Sequence, residues 1–229
     1  MRLYLSLLLS FLGVGLTATP LQQVPSYRQR LLTPSDPAFR AAAPDVTRVK
    51  LDTTKGPLVI EVTRAWAPLG ADRFVNLVRC GYYDDARVFR VRPKTWVQFG
   101  IAGDPKVAQA WRQATFPDDP FRESNVRGTV AFAFAVANGR TTQVFINLRD
   151  NSLTHDTEPF VRFGRVVEGL DVADAFNAEY GEGLGGIRAG KQDAGFAEGN
   201  AFFQREFPRL DVIRRATIIH EYRRPSTCT

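Results

Sequence analysis

The chain has 229 residues, of which 44% are hydrophobic and 24% are charged, and this composition is enough for one sizeable core and one domain. Its net charge is +6, with 25 arginines among the 30 basic residues. Because these arginines are scattered among 24 acidic residues and form no basic block or aromatic-interleaved patch, the composition predicts no nucleic-acid partner.

Residues 1–18 have the features of a secretory signal peptide. Met1-Arg2 gives a positive start, residues 3–16 carry no charge, and small residues follow at Thr17 and Ala18. Such a leader is removed on export, so we expect a periplasmic or secreted protein. The apolar stretch is shorter than the roughly 20 residues that cross a bilayer, which predicts no stable membrane insertion and leaves an uncleaved anchor as the alternative.

Residues 19–46 are rich in proline and predict a lead-in or linker, with a short helix near residues 27–32. The folded domain is predicted over residues 47–222, followed by a short tail over residues 223–229.

Elements within the domain are predicted from hydrophobic periodicity and from turn residues. Strands are predicted at residues 49–53, 58–62, 87–91, 96–101, 128–134, 143–147 and 160–167 and within 210–222. Helices are predicted at residues 67–78, 106–115 and 170–180, the second of them short. Many short strands with only two substantial helices predict a mainly β protein, a closed β-barrel.

Cysteines and histidines give no sign of a metal or redox centre. Cys80 and Cys228 either pair in an oxidising compartment or stay apart as a buried thiol and a tail thiol. His155 and His220 do not stand at a metal-ligand spacing, and neither C-x-x-C nor H-E-x-x-H occurs. The sequence therefore predicts no metal and no cofactor.

A glycine-rich stretch at residues 181–191 contains two phosphate-binding patterns. GEGLGG satisfies G-x-G-x-x-G, and GGIRAGK satisfies most of a P-loop. Both motifs require a preceding strand, whereas a helix is predicted here, and Gln192 stands where a P-loop has a hydroxyl residue for Mg²⁺. We interpret the stretch as a surface loop.

Residues 88–101, VFRVRPKTWVQFGI, place Arg90 and Gln98 eight residues apart in a β-prone run. Side chains at an even separation share one face of a strand, so these two point the same way and Phe89, Val91, Val97 and Phe99 point into a core. Pro93 interrupts the run and favours two strands joined by a turn. Taken alone, the pattern also fits an edge hairpin with a solvated arginine.

Three segments in order argue against a mere edge hairpin: FRV-(x)6-QFG, RGTVAFA-(x)6-RTTQVFIN and FVRFGRVVEGLDV. Their order and spacing over residues 46–219 resemble cyclophilin-type peptidyl-prolyl cis-trans isomerases, most of all a bacterial subgroup with Q-F-G-I and R-T-T-Q-x-F-I-N. The resemblance implies an eight-stranded antiparallel barrel capped by two α-helices. It also implies proline-containing peptides and unfolded exported proteins as partners, and we expect a monomer.

The resemblance implies a role for individual residues. Arg90 corresponds to the catalytic arginine and Gln98 to a glutamine on the same floor. Substrate-binding positions implied in the same way are Thr95, Trp96, Ala133, Phe134, Gln143, Phe145, Leu153, His155 and Phe160. Thr95 and Trp96 depart from the usual aromatic and aliphatic residues, and either Leu153 or His155 takes the place of the usual pocket leucine. No tryptophan stands in that stretch, so we expect weak binding of cyclosporin.

These residue types suit a reaction that breaks no covalent bond. Rotation about an X-Pro bond loses amide resonance, at a barrier of roughly 18–20 kcal/mol, and the twisted proline nitrogen regains a lone pair that a guanidinium can stabilise. The sequence lacks the histidine and carboxylate constellations of hydrolases. An isomerase is therefore the main interpretation, and a cyclophilin-like peptide-binding module with little catalysis is the alternative.

Overall fold

The computed structural model describes residues 27–181 and 192–224, with side chains from residue 29 onward. The predicted signal peptide, most of the glycine-rich stretch and Cys228 lie outside the described residues. Cys80 is buried, and this burial raises the pKa of its thiol.

Nine strands and seven α-helices form the described part of the chain. The strands are β1 Val46–Thr53, β2 Gly56–Thr63, β3 Ala86–Arg87, β4 Arg90–Arg92, β5 Trp96–Phe99, β6 Thr129–Phe132, β7 Val144–Asn147, β8 Arg162–Glu168 and β9 Val212–Tyr222. The helices are α1 Tyr27–Leu31, α2 Pro68–Arg79, α3 Pro105–Trp111, α4 Ser152–His155, α5 Leu170–Asp174, α6 Asp193–Glu198 and α7 Asn200–Glu206. A single 3-10 turn is formed by Pro37–Arg40.

The strands make one curled antiparallel sheet in the order β3-β9-β1-β2-β8-β6-β7-β5-β4. Its two terminal strands, β3 and β4, are separated in sequence only by Val88 and Phe89. One extended segment therefore changes partner from β9 to β5 and joins the two ends of the sheet, and counting it once gives eight strands. The predicted mainly β, barrel-type fold is confirmed.

The first hairpin shows why these residues form strands. In β2 the side chains of Leu58, Ile60 and Val62 are fully buried, whereas Glu61, between the last two, is only half-buried. Thr53 pairs with Gly56 across a two-residue turn, so the alternation keeps one apolar face against the core.

Helix α2 packs its apolar face against the barrel. Pro68 occupies the first turn, where a missing N–H costs nothing. The Phe74 ring lies 4.9 Å from that of Phe163 and 5.3 Å from that of Tyr83. Each such buried aromatic contributes roughly 1.5–3 kcal/mol, so the predicted amphipathic helix is confirmed as part of the core.

The described part of the proline-rich lead-in packs on the domain and is not a linker. The ring of Phe39 meets that of Trp111 edge-on at 4.7 Å, and the indole of Trp111 donates to the carbonyl of Leu31 at 2.8 Å. The amide of Ala43 donates to the Asp72 carboxylate at 2.8 Å. A few apolar side chains thus outweigh the proline content that favoured a linker.

The C-terminal region departs from the predicted helices in two ways. Helix α5 ends at Asp174, well short of residue 180, because the amide of Asn177 donates to Asp211 at 2.6 Å and draws the chain away. Helices α6 and α7 were not predicted. Gly195 and Gly199 weaken helix propensity there, but Gly195 packs under the Phe203 ring and Gly199, at φ +59°, separates the two helices.

None of the described helices is long and apolar enough to cross a membrane. No cluster of three or more metal-ligating side chains occurs within residues 27–181 and 192–224.

Candidate active site

Arg90 and Gln98 lie opposite each other on neighbouring strands β4 and β5. Arg90 Nη1 donates to Gln98 Oε1 at 3.0 Å, while Val91 and Val97 are buried on the other face. Because β5 also pairs with β7, the strand that carries Gln98 is interior to the sheet, and the edge-hairpin alternative does not hold for it. The period of two in the sequence placed both polar side chains correctly on one face.

A row of amide hydrogen bonds continues from this pair. Gln98 Nε2 donates to Gln143 Oε1 at 2.7 Å, and Gln143 Nε2 donates to Gln192 Oε1 at 2.8 Å. Gln98 is buried and the other members are half-buried. The row therefore fixes Arg90 from one side through groups that belong to three distant parts of the chain.

Aromatic rings surround His155 next to this polar row. The His155 ring lies 4.7 Å from Phe160, 5.3 Å from Phe145 and 5.6 Å from Trp96, between ring centroids. Phe134 packs on Phe160 at 4.4 Å. These five residues form an apolar box whose walls suit a small aliphatic ring.

Box and polar row line one groove of about 430 Å³. Of the sequence-predicted residues it contains Arg90, Trp96, Gln98, Ala133, Phe134, Gln143, Phe145, His155 and Phe160. Sequence reasoning missed the remaining lining residues, which are Arg112, Gln113, Ala135, Gly139, Thr141, Gln192, Asp193 and Phe196. Thr141 stands two residues before Gln143, so the alternation of a strand could have identified it, whereas the residues that follow α3 and those at the start of α6 had no such signal.

Thr95 and Leu153 do not line the groove, which corrects two predicted contacts. Thr95 is buried in the turn, where its hydroxyl donates to the carbonyl of Pro93 at 3.2 Å. Leu153 is 94% exposed. Two helical steps rotate a side chain by about 200°, so α4 directs His155 inward and Leu153 to solvent. Between the two residues left open, His155 is the one in the box.

Two arginines stack on the indole of Trp96. The Arg90 guanidinium carbon lies 5.5 Å from the ring centroid and that of Arg92 lies 4.9 Å from it. Both distances are within the range of cation–π attraction. Trp96, one of the two residues that depart from the expected pattern, therefore supports the guanidinium of Arg90 with its aromatic ring.

A buried ion pair holds the wall of the groove. Gly139, Thr141 and Gln143 face the groove, while Arg140 between them is fully buried. Arg140 Nη1 lies 3.1 Å from Asp119 Oδ2, and Asp119 also accepts from the amides of Leu69 and Gly70 at 2.8 and 2.9 Å. The pair thus ties this wall to the first turn of α2.

Gly100 explains the glycine of the Q-F-G motif. Its φ is +114°, and a Cβ would lie 2.4 Å from the carbonyl oxygen of Thr142. Its own carbonyl accepts from the Thr142 hydroxyl at 2.9 Å. Any larger residue would push β5, which carries Gln98, away from the segment before β7 that carries Gln143.

We expect His155 to make the stability of the fold depend on pH near neutrality. Burial lowers the pKa of His155 below its ordinary 6.5, with Asp156 opposing and Arg149 adding to this shift. The unfolded chain then binds more protons in this window, so the free energy of unfolding falls as the pH drops through 6.5. Denaturant titrations at pH 7.5 and 5.5 measure the difference.

The matched variants are His155→Leu, which removes the buried imidazole, and His220→Gln, which removes an exposed one in β9. We expect the pH-dependent loss of stability to shrink in His155→Leu and to stay as in the wild type in His220→Gln. An unchanged loss in His155→Leu would contradict the assignment.

Comparisons with known proteins agree with this fold. The family model described as cyclophilin type peptidyl-prolyl cis-trans isomerase matches residues 48–188. Peptidyl-prolyl cis-trans isomerase A of Dickeya dadantii is 34% identical over 67% of this chain and 82% of its own. The cyp18 isomerase of Streptomyces antibioticus is 34% identical over 57% of this chain and 82% of its own.

A solved structure shares the fold. The cyclophilin type peptidyl-prolyl cis-trans isomerase of Cryptosporidium parvum superposes with a TM-score of 0.56 at 17% identity, covering 77% of this chain and 99% of that one. The shared fold defines the class as a mainly β protein built on one curled antiparallel sheet. The family match makes it specific: the chain belongs to the cyclophilin-type peptidyl-prolyl cis-trans isomerases.

Proposed function

We propose that this isomerase uses Arg90 to accelerate X-Pro rotation in exported polypeptides. One observation supports the role of Arg90: its guanidinium is held by Gln98 at 3.0 Å and stacked on Trp96, one wall of the apolar box. A proline ring seated in the box brings its nitrogen beside a fixed cation.

The chemistry follows from that placement. The planar amide offers little lone-pair density on nitrogen, whereas the twisted amide offers a localised pair. A donor fixed in advance binds the twisted state better than either planar state, which is the requirement for catalysis. No bond is made or broken, and no proton moves. The rate gain comes from placing Arg90 before the substrate arrives.

Binding of the peptide falls to the rest of the groove. Phe145, His155 and Phe160 exclude water from the pyrrolidine ring, while Gln98 and Gln143 face the groove with polar atoms. Ala133 and Phe134 follow β6 along the groove edge, where an extended peptide can lie. A crystal structure of the Cryptosporidium parvum relative was determined in the presence of the dipeptide Ala-Pro, which supports proline-containing peptides as the substrate class.

Exchange spectroscopy by NMR on an Ala-Pro peptide tests this function. Without a catalyst, cis-trans exchange takes tens to hundreds of seconds. We expect the wild type to raise the exchange rate far above this uncatalysed rate. Binding of the peptide without faster exchange would favour the alternative of a peptide-binding module.

The export part of the proposal is supported by residues 1–18, with their charged start and uncharged stretch. In a bacterium with a periplasm, we expect the full chain to accumulate in the periplasmic fraction with a mass that lacks this leader. Leu8→Arg interrupts the apolar stretch and should keep the protein, uncleaved, in the cytoplasm. Cytoplasmic, full-length wild-type protein would refute export.

We further expect the protein to act as a monomer on unfolded exported chains.

A further inference from the structure

The row of hydrogen-bonded side chains that begins at Arg90 ends at Gln192. This glutamine lies in a part of the chain outside the family match. The match covers residues 48–188, and Gln192 is 49 residues from its partner Gln143. Its contact with Gln143 is thus supplied by a region that neither the family motifs nor the sequence periodicity pointed to.

The direction of the row is determined at the Arg90 end. A guanidinium has donors only, so the atom of Gln98 that it contacts must be the carbonyl oxygen. The amide nitrogen of Gln98 is then left to donate to Gln143, whose own nitrogen donates to Gln192. Each glutamine has one orientation that satisfies both neighbours, and the last residue must be an acceptor.

A packed element presents Gln192 to this row. Gln192 immediately precedes α6, and its carbonyl accepts from the amide of Phe196 at 3.0 Å. Phe196 is buried, and the guanidinium of Arg112, which directly follows α3, lies 5.0 Å from its ring. Asp193 forms an ion pair with the same arginine. Helix α6 is thereby fixed against α3, and the Gln192 side chain is held at the groove.

We propose that Gln192 is a positioning residue that acts through Gln143 and Gln98 on Arg90. Without an acceptor at residue 192 the Gln143 amide is free to turn over, and a turned Gln143 presents its NH₂ group to the NH₂ group of Gln98. Gln98 then turns in its place and directs donors at the guanidinium of Arg90. This inference rests on the proposed catalytic role of Arg90.

Three substitutions distinguish the loss of the hydrogen-bond acceptor at residue 192 from a change in side-chain volume. Gln192→Leu removes the acceptor at similar volume, Gln192→Glu keeps it, and Gln204→Leu is the control because Gln204 is exposed on α7, outside the groove. We expect kcat/KM on the Ala-Pro peptide to fall roughly three- to tenfold in Gln192→Leu, the effect of one hydrogen bond. It should stay within about twofold in the other two.

Two further measurements distinguish positioning from a structural effect. In the Gln143→Leu background, Gln192→Leu should cause no further loss, since the path to Arg90 is already cut. The side-chain amide NMR signals of Gln98 and Gln143 should shift in Gln192→Leu and not in Gln204→Leu. Full activity of Gln192→Leu, an equal loss in Gln192→Glu, or additive losses with Gln143→Leu would overturn the proposal.

The same assay on Arg90→Ala distinguishes a failure of the positioning role of Gln192 from a failure of the proposed role of Arg90. If Arg90→Ala loses activity and Gln192→Leu does not, the positioning role alone is wrong. If Arg90→Ala keeps full activity, the proposed role of Arg90 is wrong, and with it the positioning of Arg90 by Gln192.

Discussion

Arg90→Ala should lower kcat/KM on a proline peptide by roughly 10²- to 10³-fold, the usual loss when one preorganised transition-state donor is removed. Arg90→Lys should lose most of the activity as well. Lysine keeps the charge but lacks the planar fork that Gln98 holds at 3.0 Å and that stacks on Trp96. NMR exchange on the Ala-Pro peptide measures both variants.

Arg165→Ala is the matched control, because Arg165 is an arginine in a strand, 57% exposed, and paired only loosely with Glu61 at 3.6 Å. We expect its turnover to equal that of the wild type. Far-UV circular dichroism spectra and thermal unfolding curves establish that each variant is folded. Wild-type turnover in Arg90→Lys would show that charge alone suffices and would refute the account of the fixed fork.

Asp119→Ala should reduce the free energy of unfolding by about 3–5 kcal/mol, because it removes the more buried of the two carboxylates that pair with Arg140, leaves only Asp118 at 3.0 Å, and takes the acceptor from two amides of α2. The side chains of Asp119 and Arg140 are at most 2% exposed, and Asp119 also caps the start of α2. For a chain of this length, such a loss lowers the melting temperature by about 6–20 °C. Calorimetry or a denaturant titration measures it.

Arg205→Ala is the control for this prediction. Arg205 of α7 pairs with Glu198 and Glu206 at the surface and is 54% exposed, so its loss should leave the unfolding free energy close to that of the wild type. Replacing both buried partners, as in Asp119→Leu with Arg140→Met, should cost less than Asp119→Ala alone. Equal losses in Asp119→Ala and Arg205→Ala would show that the buried pair carries no special weight.

Strand periodicity accounts for what the sequence predicted well. The even spacing of Arg90 and Gln98 put both on one face, and the same rule put Phe89 and Phe99 in the core. Local patterns of this kind depend only on neighbours along the chain. For that reason the period of two was enough to locate Arg90 and Gln98, whereas the residues of the box were expected only from the resemblance to the cyclophilin-type isomerases.

Residues whose placement depends on tertiary contacts were not predicted in the same way. Whether Leu153 or His155 enters the box is decided by where α4 begins, because a shift of two residues there rotates a side chain by about 200° and exchanges the inward and outward faces. Gln192 meets Gln143 only because α6 packs on α3. No periodic signal in a single sequence encodes a contact across 49 residues, and two glycines in and after α6 concealed the helix itself.

The segment that joins the two ends of the sheet keeps both terminal strands short. Strand β3 has two residues and β4 has three, so neither terminal strand offers a long row of open amides and carbonyls. Unfolded clients carry unpaired strands that add readily to any open sheet edge. We therefore expect the two terminal strands to offer an unfolded chain little edge on which it could add a strand.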